Sequence, residues 1–187
     1  QGRPAVLTHS IVGMVLIIFL IKAAVLGPKE IWNLALVPSH VFRRQIWRLF
    51  TYAPIHTSIP HFLLSIGTFN QVGSLFEGSR GMLSLLLHFV LLTFLIGVVY
   101  CALSLLLNLM NYFTLYEQPL TGMTGVAVAL SVIEGRQNAA PYRSLLGLVL
   151  VSKYFYPVMI ALLSQAILTN ASPTFYLCSI FTGWMHS

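Results

Sequence analysis

Residues 82–110 read MLSLLLHFVLLTFLIGVVYCALSLLLNLM, an apolar run that contains no carboxylate, lysine or arginine. A helix needs about 20 apolar residues to cross the hydrocarbon core of a bilayer. This run therefore predicts a long spanning helix that tilts or projects beyond the core. The rest of the chain has the same character, because 57% of its 187 residues are hydrophobic, only 7% are charged and the mean hydropathy is +0.85. Soluble domains carry roughly a quarter of charged residues, so the sequence predicts an integral membrane protein.

The composition also argues against several classes of site. All four acidic residues are glutamates, which does not favour paired-aspartate proteolysis, calcium loops of the EF-hand kind or two-metal carboxylate chemistry. The net charge of +6 comes from lysines and arginines scattered singly or in pairs. They suit the surface of a lipid bilayer better than nucleic acid. Cys101 and Cys178 lie inside apolar runs, which does not favour a disulfide or a zinc site. We expect no cofactor, no metal and no nucleic-acid partner.

The hydropathy pattern on either side of residues 82–110 predicts six spans in a single domain that covers residues 1–187. Lys153 and Pro157 interrupt the fifth span and predict a kink there. We expect the sixth span to be truncated at Ser187, because the chain has the character of a fragment. The five further spans cover about residues 9–26, 60–78, 120–133 and 145–168, and the residues after Pro173.

The second and fourth predicted spans carry too many small and polar residues to face lipid. In the second span, Gly67, Ser74, Gly78 and Gly81 recur at spacings that place them on one stripe of a helix. Small residues on one stripe allow neighbouring helices to approach closely in a membrane. The fourth span is predicted to be a buried central helix, and its contact with the second is predicted to depend on glycines, chiefly Gly125, Gly73 and Gly67.

The segment at about 28–60, between the first two spans, is too long for a turn and too amphipathic to be disordered. Its tryptophans and arginines are typical of a structured loop that is partly immersed in the membrane. We expect Trp47 and Arg48 to anchor this loop. The loops at about 111–119 and 169–173 contain no lysine or arginine. Their composition predicts a cytosolic N-terminus and a cytosolic loop that includes Arg136 and Arg143.

Short motifs occur along these segments in an order that resembles the rhomboid family of membrane proteins. The resemblance covers nearly the whole chain, and it is closest to the compact six-span forms of the eukaryotic secretory pathway. It implies an all-α fold, a bundle of six transmembrane helices with a membrane-embedded first loop. The motifs are Trp47-Arg48, Thr51-Tyr52, His56, His61, Gly73, Glu77-Gly-Ser-Arg-Gly81 and Gly122-Met-Thr-Gly125.

Active rhomboids cut peptide bonds inside the membrane with a serine and a histidine, and the resemblance indicates which residues stand at those positions here. Thr124 occupies the position of the nucleophilic serine. His56 and His61 match the two histidines of an oxyanion-binding pattern on the second helix, but Ser65 stands where that pattern has asparagine. Cys178 occupies the position of the histidine on the sixth helix.

These departures remove groups that the reaction needs. A threonine hydroxyl becomes a nucleophile only when a base activates it, and a thiol with a reference pKa of about 8.5 is a poor acceptor for a hydroxyl proton. Ser65 is too short to hold an oxyanion as an asparagine amide would. His186 lies two turns beyond Cys178, about 12 Å along a helix axis. We expect His186 to be an interfacial residue and not the missing base.

Other polar residues of the predicted spans have structural interpretations. We expect Glu77 and Arg80 to form an ion pair at the end of the second helix, His88 to be a packing residue and Ser131 to assist helix packing. Lys153 could mark a path for an ion or a client, or it could be a structural lysine that lies within reach of Glu134 or a carbonyl.

The leading hypothesis is a rhomboid-like pseudoprotease that binds transmembrane clients or partner subunits. Inactive proteins of this kind resemble derlins and the rhomboid-like subunits of membrane ubiquitin-ligase complexes. That resemblance implies a role in protein quality control in the endoplasmic reticulum or Golgi of a eukaryote. One alternative is an active intramembrane protease centred on Thr124. A small-solute channel is a second alternative. Lys153 and the stripe of small residues support it only weakly, and the sequence has no inverted repeat of the kind found in transporters.

Overall fold

The computed structural model describes residues 5–25, 32–111, 113–137, 140–167 and 172–187, which form packed helices and one β-hairpin. The expected ends of the first and fifth spans at Leu26 and Leu168, the start of the first loop at Pro28, and residues 169–171 lie outside the described residues. The elements in chain order are α1 (Val6–Val25), α2 (Pro38–Phe42), α3 (Arg48–Thr51), α4 (Ile59–Arg80), α5 (Met82–Leu109), a 3₁₀ turn (Phe113–Leu115), α6 (Thr124–Gln137), β1 (Tyr142–Leu145), β2 (Val149–Ser152), α7 (Tyr156–Ile167) and α8 (Pro173–Met185).

Two helices of the described part of the chain are long and apolar enough to cross a membrane. They cover Val6–Ala24 and Met82–Leu109. The second of these is the apolar run that dominates the sequence. Helix α5 begins after Gly81, whose φ of +87° ends the helical backbone of α4. The N–H of Gly81 donates to the carbonyl of Glu77 at 2.8 Å.

The centre of the bundle is α6. Residues 126–130 of this helix have no solvent-accessible surface, and the helix packs against α4, α5, α7 and α8. The alternation of valine, alanine and leucine gives α6 an apolar surface on every side, as expected for a helix surrounded by others. The prediction that the fourth span is a buried central helix is therefore confirmed.

The start of α1 is held by a carboxylate from the far end of α4. Glu77 accepts hydrogen bonds from the backbone N–H of Leu7 at 2.9 Å, the N–H of Thr8 at 2.8 Å and the Thr8 hydroxyl at 2.7 Å. The first N–H groups of a helix lack partners within the helix, and a negative charge is favourable there. The expected ion pair between Glu77 and Arg80 is wrong, because helix α1 takes the carboxylate, while Arg80 lies 5.0 Å from the ring centroid of Phe76.

Replacing Glu77 with glutamine should loosen α1 from the bundle. The amide keeps the size of the side chain, but it presents an N–H₂ group to donors that need an acceptor. We expect the free energy of unfolding to fall by about 2–4 kcal/mol, measured by thermal or denaturant unfolding in detergent. Glu117→Gln is the matched control, since Glu117 is exposed and accepts a hydrogen bond from Ser39 at 2.8 Å. Equal losses in the two variants would contradict this role of Glu77.

The first loop is a fixed part of the fold. Leu36 and Leu120 exchange two backbone hydrogen bonds of 2.9 Å, which join the loop to the segment before α6. Arg48 is 1% exposed, and its Nη1 donates to the carbonyls of Trp32 and Ala35, both at 2.6 Å. Arg48 therefore anchors the loop as predicted. Trp47 is 53% exposed, and its anchoring role stays a prediction.

Replacing Arg48 with alanine should release the loop. The change removes three charge-assisted hydrogen bonds, since Nε also donates to Gln45 at 2.6 Å, and it leaves buried carbonyls without a donor. We expect a loss of about 2–4 kcal/mol of unfolding free energy, measured as a lower melting temperature in detergent. Arg43 is exposed, so Arg43→Ala should leave the melting temperature nearly unchanged. An unaltered melting curve for Arg48→Ala would show that the loop is held by other contacts.

The fifth predicted span is wrong in its first half, which is a β-hairpin. Strand β1 pairs with β2 in antiparallel register, from Tyr142 opposite Ser152 to Leu145 opposite Val149. Leu146 and Gly147 both have positive φ, 52° and 80°, and such a pair makes the tight turn that two-stranded hairpins favour. The hydropathy of these residues would also suit a helix. The positive φ values at Leu146 and Gly147 do not fit a right-handed helix and form a turn instead.

The second half of that span is the short helix α7. Pro157 lies in its first turn, where proline is tolerated, so it begins the helix and does not kink one. Lys153 precedes α7, with Nζ 5.3 Å from the ring centroid of Tyr154. It therefore lies between the hairpin and α7 and not inside a helix, and both interpretations of Lys153 stay predictions.

The glycines of α4 do not make the contact that was predicted for them. A Cβ at Gly73 would lie 3.0 Å from Thr8 of α1, and one at Gly67 would lie 3.2 Å from Leu146 of the hairpin. A Cβ at Gly78 would meet nothing within 4 Å. Helices α4 and α6 do pack together, but the three glycines of α4 face other elements or open space.

Candidate functional site

Two buried hydroxyl groups meet where α6 begins. Ser65 of α4 and Thr124 of α6 are 0% and 2% exposed, and their side-chain oxygens are hydrogen-bonded to each other. The structure thus brings together two of the residues that the sequence assigned to the site. The Thr124 hydroxyl is engaged by another hydroxyl, which is too weak a base to take its proton.

The turn before α6 depends on Gly122. Its φ is +95°, and its N–H donates to the carbonyl of Tyr52 at 2.8 Å. A Cβ at this position would lie 2.3 Å from Nε2 of His61, so the imidazole of His61 packs directly on the glycine backbone. Tyr52 is fully buried, and its hydroxyl donates to the carbonyl of Thr93 on α5 at 3.0 Å. The turn is held from the first loop, α4 and α5 at once.

His56 lies next to His61, with ring centroids 4.9 Å apart. Its Nδ1 donates to the carbonyl of Pro54 at 3.2 Å, which assigns the proton to Nδ1 and makes Nε2 an acceptor. Among the described residues no donor reaches that Nε2 atom. Burial, with a smaller effect of His61, lowers the pKa of His56 to about 3, so its imidazole is neutral at physiological pH.

Lys22 of α1 holds the chain that follows His56. Its ammonium group donates to the carbonyl of His56 at 2.5 Å and to that of Thr57 at 3.1 Å. These contacts join α1 to the loop that carries the two histidines. They fix the position of the histidines relative to α1.

The side of α8 that faces α6 is formed by Phe175, Ser179 and Gly183. A Cβ at Gly125 would lie 2.6 Å from the Phe175 ring and 2.8 Å from the Ser179 hydroxyl, and one at Gly183 would lie 2.6 Å from the carbonyl oxygen of Ala129. The Ser179 hydroxyl donates to the carbonyl of Phe175 at 2.9 Å, within its own helix. Gly125 therefore mediates packing of α6 on α8, and its expected role between α4 and α6 is wrong.

Cys178 lies on a different side of α8. It is 3% exposed. The residue that the resemblance placed at the histidine position thus points away from the contact that Phe175 and Ser179 make at Gly125. One residue of displacement turns a helix by about 100°. An alignment that is shifted by one residue therefore places the wrong side of α8 at the site.

His186 does not approach the site. It is exposed, it caps the far end of α8, and its ring stacks on His88 of α5 at a centroid distance of 5.5 Å. The contact of Gly183 with Ala129 already lies more than one turn along α6 from Thr124. His186 stands beyond that contact, consistent with the expected interfacial residue.

The arrangement at the start of α6 gathers polar and aromatic groups. Around Thr124 it offers a second hydroxyl, two buried imidazoles and an aromatic ring, all in contact with backbone. Within the described ranges no group of three histidine, cysteine or carboxylate side chains is placed to hold a metal ion. Ser131 bonds its own helix at the carbonyl of Val128, at 2.7 Å.

Sequence reasoning missed Tyr52 as a site residue and missed the face of α8. Tyr52 lies in a quoted motif, but its two partners, Gly122 and Thr93, are distant in sequence. The α8 face does have a sequence signal, because Phe175, Ser179 and Gly183 recur at intervals of four, which places them on one side of a helix.

Comparison with known proteins gives a family and two relatives. Residues 6–187 match the family model described as eukaryotic integral membrane protein, DUF1751. The chain is 28% identical over 185 residues to rhomboid-like protein 15 of Arabidopsis thaliana, covering 97% of this chain and 46% of that protein. It is 23% identical over 179 residues to rhomboid-type serine protease 2 of Gibberella zeae, covering 91% of this chain and 64% of that protein.

The chain thus spans less than two thirds of the length of either relative. The family match covers nearly every residue, and the relatives carry the rhomboid name that the ordered motifs suggested. The chain belongs to the DUF1751 family of eukaryotic integral membrane proteins and is a rhomboid-like membrane protein.

Proposed function

We propose that the protein is a rhomboid-like pseudoprotease that binds transmembrane clients or partner subunits. One observation carries the proposal: the hydroxyl at the nucleophile position, Thr124, is hydrogen-bonded to Ser65, and the facing side of α8 carries Phe175 and Ser179. Intramembrane proteolysis by a hydroxyl group needs a base at hydrogen-bonding distance. An aromatic ring cannot supply it, and the Ser179 hydroxyl donates within its own helix.

In this proposal six segments cross the bilayer. They are α1, α4, α5, α6, the hairpin together with α7, and α8. Helix α7 has 12 residues, which gives about 18 Å at 1.5 Å per residue, short of a hydrocarbon core of about 30 Å. The crossing therefore needs residues beyond the helix itself. The N-terminus and the segment that contains Arg136 and Arg143 are then cytosolic.

The relative named rhomboid-like protein 15 supports the rhomboid-like character on which the proposal rests. By the resemblance to derlin-like proteins, we propose action in quality control of membrane proteins, in the endoplasmic reticulum or Golgi, with subunits of a ubiquitin-ligase complex as partners. The buried core of α6 and the fixed first loop would then serve as a rigid frame against which client helices pack.

An active protease centred on Thr124 is the second candidate. It is favoured by the name of the Gibberella relative, a rhomboid-type serine protease, and by a hydroxyl at the turn that opens α6. Binding and cleavage distinguish the two candidates, because a protease requires the Thr124 hydroxyl and a client-binding scaffold does not.

The test is binding of defined single-span peptides in liposomes. Purified protein and a panel of fluorescent peptides with polar or helix-breaking residues in the span are co-reconstituted, and association is followed by energy transfer. We expect at least one peptide to bind above an all-leucine control, and Thr124→Ala to bind it within about twofold of wild type. Failure of every peptide to exceed that control would overturn client binding.

A further inference from the structure

A groove with several polar side chains lies between α4 and the hairpin, at the opposite end of α6 from Thr124. It has a volume of about 590 Å³, and its polar lining comes from Asn70, Gln71 and Ser74 of α4 and from Tyr142, Arg143 and Ser144 of β1. Arg143 forms an ion pair with Glu134, which lies ten residues after Thr124, about 15 Å along α6. The groove is therefore separate from the pair of hydroxyls described above.

One wall of the groove is the outer edge of β1. The N–H and C=O groups of a strand residue point to one edge, and those of the next residue point to the other. The carbonyl of Ser144 accepts from the side chain of Gln71, so the peptide groups of Ser144 and Tyr142 point away from β2. They face the groove, where a further strand would lie.

Gln71 already imitates one peptide group of such a strand. Its amide nitrogen donates to the carbonyl of Ser144, and its oxygen accepts from the N–H of Leu146 at 3.2 Å. One amide that bonds residues two apart along a strand reproduces the ladder of a parallel neighbour. The side chain completes this edge at a single point and leaves the rest of the edge beside the groove.

Two residues that line the groove each have a buried polar atom without a hydrogen-bond partner among the described residues. The atoms are Nη1 of Arg143 and Oδ1 of Asn70. One is a donor and the other is an acceptor, so a ligand that satisfies both must offer both functions. A phosphodiester would meet Arg143 but could not donate to Asn70, whereas a peptide group has both an acceptor and a donor.

We propose that the groove between α4 and β1 binds an extended polypeptide segment of a transmembrane client, which adds as a strand to the outer edge of β1. This inference rests on the proposed client-binding function. The segment would bond the peptide groups of Tyr142 and Ser144 and would bring peptide groups to Asn70 and Arg143. Strand addition of this kind satisfies the backbone groups that a strand edge leaves unpaired.

The test uses two synthetic single-span peptides in liposomes with wild-type protein. Each has an apolar helix followed by a short β-branched extended segment, and in the second peptide alternate backbone N–H groups of that segment are methylated. Both possible methylation registers are made, because one of them removes the donors that face β1. We expect that register to bind about tenfold more weakly than the unmodified peptide, and the other register to bind nearly as well.

A photoreactive residue locates the contact. Benzoylphenylalanine replaces Ser74 in the groove or, as the control, the exposed Leu83 of α5. We expect crosslinks to the unmodified peptide from position 74 and not from position 83. Asn70→Leu should weaken binding of that peptide about threefold or more while the protein keeps its melting temperature.

The outcomes separate this inference from the proposed function. Equal binding of both methylated registers and the unmodified peptide, or crosslinks from position 74 to lipid alone, would overturn strand addition while client binding stands. If neither these peptides nor the panel of single-span peptides binds wild-type protein, the proposed function fails and the groove inference fails with it.

Discussion

Replacing Gly183 with alanine is expected to lower the free energy of unfolding by about 2–4 kcal/mol. A Cβ at this position would lie 2.6 Å from the carbonyl oxygen of Ala129 and 2.9 Å from its Cα. Both are backbone atoms of the central helix, so no side chain can rotate to make room. Helix α8 must move away from α6, and the contact of Phe175 with Gly125 is lost with it.

The matched control is Gly78→Ala on α4. A Cβ there would meet nothing within 4 Å, and alanine favours a helix over glycine by about 1 kcal/mol. We expect this variant to be as stable as wild type or slightly more stable. Denaturant unfolding of both variants in the same detergent measures the difference. Similar stability of Gly183→Ala and Gly78→Ala would contradict the close approach of α8 and α6.

The second large effect is expected for Gly122→Ala, with a loss of about 3–5 kcal/mol. Two costs add: a φ of +95° is strained for any residue with a side chain, by about 1–3 kcal/mol, and the new Cβ would lie 2.3 Å from Nε2 of His61. The hydrogen bond from Gly122 to Tyr52 would also be distorted. The measured quantity is again the free energy of unfolding.

A double variant separates these two costs. His61→Ala removes the ring that a Cβ at Gly122 would strike, but it leaves the positive φ unchanged. We therefore expect Gly122→Ala to cost clearly less in the His61→Ala background than in wild type, with a residual loss of about 1–3 kcal/mol. An identical cost in both backgrounds would show that His61 does not pack on the turn.

The sequence predicted the membrane class, the long helix of residues 82–110 and the buried character of α6, because these depend on hydropathy over many residues. It failed at residues 145–152. A short apolar run there is compatible with either a helix or a strand. The structure has a turn with positive φ at Leu146 and Gly147, which makes the run a hairpin. The ion pair expected for Glu77 failed because the N–H groups of a distant helix compete for the carboxylate more favourably than a neighbouring arginine.

The motif residues predicted the meeting of Ser65 and Thr124, which lie on different helices. The motif could not predict what faces them from α8. Cys178 and Ser179 are adjacent in sequence, yet only Ser179 contacts the position of Gly125, since the two side chains point about 100° apart on the helix. The close contact between Gly183 and the backbone of Ala129 fixes the rotation of α8 about its axis. Hydropathy does not predict that rotation, because a short apolar helix is apolar on most of its sides.

The central claim is that Thr124 lacks the groups that would make it a protease nucleophile. The most direct measurement is cleavage of a general rhomboid reporter substrate by purified protein in liposomes, beside a rhomboid that has the serine and histidine. Loss of the base typically costs about 10²–10⁴ in rate, and loss of one oxyanion donor about 10²–10³. We expect turnover at least about 10⁴-fold below that of the active enzyme, the same for Thr124→Ala as for wild type, and no labelling of Thr124 by a fluorophosphonate. Cleavage that Thr124→Ala abolishes would contradict the claim.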